Sequence, residues 1–212
     1  MGLSVGAKVG RYTVERLLGH GGMAEVWSVR HNVLGNRYAL KVLHQHAGRH
    51  RQRLLQEGRA QAQLDHPNIL TVRDILDVNG QPALLLPLVD GPPLTALLNA
   101  QRLSPAVALA IFKILVGALT FAHGRGFVHR DLKPANILLD VYFERLRPRV
   151  ADFGLVKHDG GLQTRTGSVM GTPAYAAPEQ LRDATTADAR ADWFSLGVIL
   201  VELLTGVRPF IG

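Results

Sequence analysis

The separation of strand-like from helix-like patterns most constrains the fold of this 212-residue chain. Nearly all strand-like segments come before residue 90, and helical periodicity dominates after it. Asp90-Gly91-Pro92-Pro93 lies at the change, where glycine and proline interrupt regular structure. Strands followed by helices favour an α+β fold, so the pattern predicts a small β-rich lobe joined to a larger, mainly helical lobe.

Five strands and one helix are predicted in the first part. The strands are Tyr12–Leu18, Glu25–His31, Arg37–Leu43, Ile69–Val78 and Ala83–Leu88. Asn79-Gly80 predicts a tight hairpin between the last two, because both residues tolerate a positive φ. The helix is predicted at about Arg51–Leu64, since His66-Pro67 disfavours its continuation.

Two long helices are predicted in the second part. Ser104-Pro105 supplies a helix N-cap and a proline at the first helical position, and apolar residues then recur at helical spacing up to Gly124. The stretch from about His129 to Glu179 is predicted to be rich in loops. A last helix, about Ala191–Thr205, is predicted to end at Gly206.

Composition narrows the class of protein. Hydrophobic residues make up 47% of the chain and charged residues 19%, which supports a packed core. Cysteine is absent, which excludes disulfides and thiolate catalysis. No apolar run reaches the roughly 18 residues of a membrane span, and no signal peptide is evident, so a cytoplasmic domain is expected. The net charge of +7 suits acidic partners, but with 6% aromatic residues no nucleic-acid partner is expected.

A glycine cluster lies between the first two predicted strands. Gly19, Gly21 and Gly22 would let backbone N–H groups close over phosphates, although a flexible hairpin turn explains the same residues. Lys41 follows among apolar strand residues and needs a negative partner, for which Glu57 on the predicted helix is the natural candidate. A surface charge on an edge strand is the alternative for Lys41.

Three further motifs follow in order: His129–Asn136 (HRDLKPAN), Asp152–Gly154 (DFG) and Ala177–Glu179 (APE). With the glycine cluster and Lys41, these motifs resemble the protein kinases, above all the bacterial eukaryotic-like (Hanks-type) serine/threonine kinases. The resemblance covers about Tyr12–Phe210.

The resemblance implies one bilobal protein-kinase domain over residues 1–212. Its N-lobe would span about 11–88, its hinge 86–93 and its C-lobe about 94–212. The family pattern continues with further helices, so the C-lobe is expected to lack its last ones.

The resemblance also implies a role for each motif residue in phosphoryl transfer from ATP to serine or threonine hydroxyls of proteins. Asp131 would be the catalytic base and Lys133 would neutralise the γ-phosphate. Lys41, paired with Glu57, would hold the α- and β-phosphates.

ATP and Mg²⁺ are the implied cofactors, with Mn²⁺ as an alternative ion. Asn136 and Asp152 offer the hard oxygen ligands that suit such ions. The implied cofactor-binding positions are Leu18, Gly19, Gly21, Gly22, Val26, Ala39, Lys41, Leu86, Pro87, Val89, Leu138 and Asp152. Pro87 stands where the family usually has an acidic residue; proline keeps the backbone carbonyl but has no N–H.

Regulation is implied by the segment between Asp152 and Glu179. Arg130 would dock this segment once Thr164 and Thr166 are autophosphorylated, and Thr172 would lie beside the base. The alternative is that Thr164 and Thr166 are simply polar residues of an exposed loop.

The helix predicted at 191–205 carries apolar residues on all sides, which is typical of a buried helix. A missing segment or a partner is therefore expected to cover it. Two hypotheses stay open: an active kinase, and a truncated kinase-like module that binds nucleotide or a partner with little turnover. An N-lobe homodimer and a membrane-anchored longer form are also compatible with the resemblance.

Overall fold

The computed structural model describes residues 2–21, 24–43, 55, 58–59, 61–142, 145–153, 173–183 and 187–210. The chain divides into two compact units. Unit 1 comprises Met1–Asp65 and Leu70–Val89, and unit 2 comprises His66–Ile69 and Asp90–Gly212. The short segment His66–Ile69 thus belongs with the later part of the chain although it lies among the strands in sequence.

Unit 1 contains a six-stranded antiparallel sheet with the order β1-β2-β3-β4-β6-β5. Its strands are β1 (Lys8–Val9), β2 (Tyr12–His20), β3 (Ala24–His31), β4 (Arg37–Leu43), β5 (Asp74–Val78) and β6 (Gln81–Pro87). Asn79 and Gly80 have φ values of 53° and 83°, which confirms the predicted hairpin turn. The strand predicted from Ile69 begins only at Asp74, and Ile69 instead forms an isolated bridge with Val150 within unit 2.

Side chains alternate between the two faces of this sheet. One face packs into the core of unit 1, which contains Val9, Tyr12, Val14, Trp27, Val29, Leu40, Val78, Ala83 and Leu85. The opposite face of β3 and β4 carries Val26, Ala39 and Lys41. Hydrophobic burial on one side therefore sets which residues the sheet presents on the other.

The predicted helix Arg51–Leu64 lies largely outside the described residues. Its described helical positions are Leu55, Gly58, Arg59 and Gln61, whereas Leu64 follows the helix. A Cβ atom on Gly58 would lie 3.0 Å from both Ile75 Cδ1 and Leu84 Cδ2. Glycine therefore allows this part of the helix to pack closely on β5 and β6.

Unit 2 contains four described helices and a two-stranded hairpin. The helices are α1 (Leu94–Ala100), α2 (Pro105–His123), α3 (Pro178–Arg182) and α4 (Ala189–Thr205), and the hairpin strands are β7 (Ile137–Tyr142) and β8 (Arg145–Val150). Neither α1 nor the hairpin was predicted, and the loop-rich interpretation of 129–179 is wrong at the hairpin. β8 reads Arg-Leu-Arg-Pro-Arg-Val, and proline within a strand argues against a strand.

Helix α2 begins as predicted. Ser104 Oγ accepts a hydrogen bond from Val107 N, and Pro105 occupies the first helical position. The residues buried along one face are Ala108, Ile111, Leu115, Ala118, Leu119 and Ala122. Among the helices of the described ranges, α2 alone is long and apolar enough to cross a membrane, with a mean hydropathy of 2.0. That is weak evidence for a span, because the core helix of a soluble protein passes the same test.

The segment His66–Ile69 is attached to β8 by backbone and side-chain hydrogen bonds. Val150 N donates to Asn68 O at 2.8 Å, and Asn68 Nδ2 donates to Pro148 O at 2.9 Å. His66 Nδ1 accepts from Asn68 N at 3.1 Å, and its ring lies 4.9 Å from that of Phe121. Since Nδ1 acts as the acceptor, the segment is held by the neutral form of His66.

We expect unit 2 to lose stability on acidification through His66. Burial, reinforced by the positive charge of Arg125, lowers the pKa of His66 below its ordinary value of about 6.5. A lowered folded-state pKa means that the native state binds this proton less well than the unfolded chain. The stabilisation is therefore present above about pH 6.5 and is lost as the pH falls below it. Unfolding free energies of wild type and His66→Gln at about pH 7.5 and about pH 5.5 should show a smaller acid loss in the variant; equal losses would contradict this.

Candidate active site

Asp131 lies in the loop between α2 and β7 of unit 2 and is contacted by two residues predicted to act with it. Lys133 Nζ donates to Asp131 Oδ2 at 3.0 Å. Asn136 Nδ2 donates to the Asp131 carbonyl at 2.8 Å and to Oδ2 at 3.4 Å. The Asp131 side chain is nevertheless 46% exposed. The loop thus presents a carboxylate that is held in place and still accessible to a substrate.

The two predicted metal ligands are connected through the backbone. Ala151 N donates to Asn136 O at 2.8 Å, which ties the His129–Asn136 loop to the residue preceding Asp152. Because the Asn136 side-chain nitrogen donates to Asp131, its Oδ1 is the atom left to meet a cation. An amide oxygen and the Asp152 carboxylate fit the oxygen preference of Mg²⁺. Within the described ranges, no group of three or more His, Asp or Glu side chains could hold a metal ion.

Two non-glycine residues of this region have backbone angles that favour glycine. Arg130 has φ 64° and Asp152 has φ 62°. Such conformations persist where the surroundings determine them strongly, and they are common at functional sites. Both residues belong to the predicted motifs, one next to the predicted base and one at a predicted metal-ligand position.

A fully buried carboxylate in the first turn of α4 holds the His129–Asn136 loop. Asp192 Oδ1 accepts from Arg130 N, and Oδ2 accepts from His129 N, both at 2.8 Å. His123 Nε2 also lies 2.8 Å from Oδ2. Sequence reasoning missed Asp192. Its signal was an acidic residue within an apolar helix, where a buried carboxylate requires hydrogen-bond donors.

His129 is buried and joins the two motif segments. Its Nε2 lies 2.8 Å from the Ala151 carbonyl, and its Nδ1 accepts from Asp131 N at 3.2 Å. Since a carbonyl accepts and an N–H donates, His129 is neutral with its proton on Nε2. Its ring lies 4.8 Å from that of Phe153.

The regulatory interpretation of Arg130 stays a prediction. Its Nε donates to the Ala187 carbonyl at 3.2 Å, so the side chain extends towards the residues before α4. Thr164, Thr166 and Thr172 lie outside the described residues.

Unit 1 brings several predicted nucleotide contacts onto one sheet face. Val26 lies opposite Lys41 in the register of β3 and β4, and Ala39 lies opposite Leu86 in that of β4 and β6. Cross-strand partners project to the same face, so these four residues are neighbours. Glu57, the predicted partner of Lys41, lies outside the described residues.

The glycine cluster forms the end of the β2–β3 hairpin. Gly19 pairs with Val26, and Gly21 N donates to Ala24 O at 2.9 Å. Leu18 lies at the register shift of β2 between Leu17 and Gly19. The structure therefore supports a hairpin at the glycine cluster, which both the phosphate-binding and the flexible-turn interpretations require. Gly22 lies outside the described residues.

The remaining predicted contacts are distributed between the two units. Pro87 ends β6 and pairs with Tyr38, and Val89 is the last residue of unit 1. Leu138 belongs to β7 in unit 2 and forms a bridge with Pro93.

The glycine hairpin and strand lysine of unit 1 and the aspartate–lysine–asparagine loop of unit 2 are each features found in phosphotransferases. Residues 12–212 match the family model of the protein kinase domain, and the chain belongs to this family.

Relatives named as bacterial serine/threonine-protein kinases match nearly the whole chain. The DNA damage-responsive kinase RqkA of Deinococcus radiodurans is 39% identical over 96% of this chain and 31% of its own length. Pkn1 of Myxococcus xanthus is 40% identical over 97% of this chain and 30% of its own length. PknA of Mycobacterium tuberculosis is 40% identical over 96% of this chain and 48% of its own length. The chain thus spans about a third to a half of these curated relatives.

A solved structure supports the fold. The PknI kinase domain of Mycobacterium tuberculosis is 33% identical, with a TM-score of 0.78 over 99% of this chain and 80% of that chain. The predicted protein-kinase fold, with a β-rich first part and a mainly helical second part, is confirmed.

Proposed function

We propose that this chain transfers the γ-phosphate of ATP to serine and threonine hydroxyls of proteins, with Asp131 as the catalytic base. One observation supports it most directly: the Asp131 carboxylate is exposed, yet Lys133 and Asn136 hold it at 3.0 and 3.4 Å. The relatives named as serine/threonine-protein kinases support the substrate class.

In the proposed reaction the substrate hydroxyl oxygen forms a bond to the γ-phosphorus. The bond from that phosphorus to the oxygen bridging the β- and γ-phosphates breaks, and ADP leaves with the bonding electron pair. Asp131 accepts the hydroxyl proton, and the hydrogen bonds from Lys133 and Asn136 orient its carboxylate for this. The Lys133 ammonium, which lies beside the carboxylate, would also neutralise the phosphoryl group in transfer.

Asn136 Oδ1 and the Asp152 carboxylate would hold Mg²⁺, with Mn²⁺ as the second candidate. The bound ion supplies charge neutralisation on the ATP phosphates. On unit 1, Lys41 would contact the α- and β-phosphates of ATP, and Val26, Ala39 and Leu86 would lie beside its adenine ring.

We further propose control by phosphorylation of Thr164 and Thr166, with Arg130 as the docking cation. An arginine next to the base, extended towards the residues before α4, supports this. Mass spectrometry of the chain after incubation with ATP and Mg²⁺ should find phosphate on one or both threonines. Phosphate absent from both in an otherwise active preparation would contradict the proposal.

Asp131→Asn should lower phosphate incorporation into a basic protein substrate by roughly 10²–10⁴-fold, because the proton acceptor is lost. The assay uses labelled ATP with Mg²⁺. Asp65→Asn is the matched control, since Asp65 is an exposed aspartate of unit 1 outside the proposed machinery. Equal incorporation by wild type and Asp131→Asn would exclude this base, and ATP binding without transfer by wild type would favour the binding-module hypothesis.

A further inference from the structure

The peptide groups on both sides of Arg130 are held by side chains from two different helices. Arg130 N donates to Asp192 Oδ1 of α4 at 2.8 Å. The Arg130 carbonyl accepts from Gln180 Nε2 of α3, also at 2.8 Å. Arg130 itself has φ 64°, which a residue with a side chain keeps only when its surroundings enforce it. Gln180 thus helps to anchor a conformation that the chain does not favour.

Both polar groups of the Gln180 side-chain amide form hydrogen bonds. While Nε2 donates to the Arg130 carbonyl, Oε1 accepts from Ala177 N at 3.2 Å. Reversing the amide would place Oε1 against a carbonyl and the NH₂ group against an N–H, so the two partners define its orientation. The backbone of Ala177 and that of Arg130 are therefore connected through one side chain.

The carbonyl that Gln180 contacts belongs to the peptide bond leading directly into Asp131. The N–H of the same peptide bond donates to His129 Nδ1 at 3.2 Å. A peptide bond is planar, so anchoring its oxygen and its hydrogen fixes the plane from which the Asp131 side chain departs. Lys133 and Asn136 orient the carboxylate, whereas Gln180 and His129 orient the backbone that carries it.

We propose that Gln180 is a positioning residue that acts through the Arg130–Asp131 peptide to aim the Asp131 carboxylate. The inference rests on the proposed function of Asp131. The role requires an amide donor at this length: a carboxylate would repel the Arg130 carbonyl, and a thioether would leave that carbonyl without its donor.

Gln180→Glu and Gln180→Met preserve side-chain length and test the role in the full chain. The single-turnover rate of phosphoryl transfer to a basic peptide should fall roughly 10- to 100-fold in both, as expected for a misaligned base next to an unsatisfied carbonyl. KM values for ATP and peptide should stay within about twofold, because no substrate contact is removed. Gln101→Glu, the same change at an exposed position of unit 2, should leave the rate unchanged.

A second measurement separates alignment from folding and does not depend on turnover. Amide hydrogen exchange at Arg130 and Asp131 should accelerate in both Gln180 variants while the exchange of α2 stays as in wild type. Unchanged single-turnover rates in both variants would overturn the proposal, and so would a rate loss explained fully by the unfolded fraction. If wild type transfers no phosphate, the proposed function fails. The anchoring of the Arg130–Asp131 peptide by Gln180 is then accepted or rejected on hydrogen exchange at Arg130 and Asp131 alone.

Discussion

Asp192→Ala is expected to lower the free energy of unfolding by about 3–5 kcal/mol, because three donors lose their shared acceptor. The carboxylate is fully buried and accepts from the backbone N–H groups of His129 and Arg130, with His123 Nε2 at the same distance of 2.8 Å. Each buried donor left without a partner costs about 1–3 kcal/mol. Chemical denaturation of wild type and variant measures the difference.

Phosphoryl transfer by Asp192→Ala is expected to fall further than its unfolded fraction explains. Without the acceptor, the left-handed conformation of Arg130 loses the hydrogen bond that holds its N–H, and the loop carrying Asp131 is free to relax. Asp192→Asn should show an intermediate loss, since one oxygen remains to accept. Asp188→Asn is the matched control, because Asp188 is an exposed aspartate that precedes the same helix. A stability loss at position 192 no larger than at 188 would contradict this account.

Gly91→Ala is expected to destabilise the chain by about 3–5 kcal/mol, above the usual range of about 0.5–3 kcal/mol for single substitutions. A Cβ atom at position 91 would lie 1.6 Å from the Leu139 carbonyl oxygen and 2.8 Å from its carbon. Both atoms are backbone, so no change of rotamer relieves the clash. The segment would have to move away from β7 and lose the hydrogen bond from Leu139 N to Pro92 O.

The control for this substitution is Gly117→Ala, in the exposed part of α2. A Cβ atom there meets nothing within 4 Å, so the change should be neutral or stabilising by about 0.5–1 kcal/mol. Thermal unfolding followed by circular dichroism compares the two variants. Similar melting temperatures for the two variants would show that the close approach of residues 91–93 to β7 is not needed for stability.

Strands and helices with strong local patterns were predictable. Asn79-Gly80 specified its hairpin through backbone preference alone, and Ser104-Pro105 specified the start of α2. β8 was missed because three arginines and Pro148 hide its alternation, and pairing with β7 outweighs those local preferences. Ile69 was predicted to begin a strand, but it forms a bridge with Val150, which is far away in the sequence.

The same division holds for the candidate site. Asp131, Lys133 and Asn136 lie within six residues, so a local turn suffices to bring them together, and the motif could be recognised from the order of residues alone. The orientation of the backbone that carries Asp131 depends on Asp192 and Gln180. These residues contact Arg130 from 62 and 50 positions away in sequence. The order of residues identifies functional side chains that lie close together in the sequence. Contacts between distant buried polar groups arise only once packing removes water and leaves each donor a single acceptor within reach.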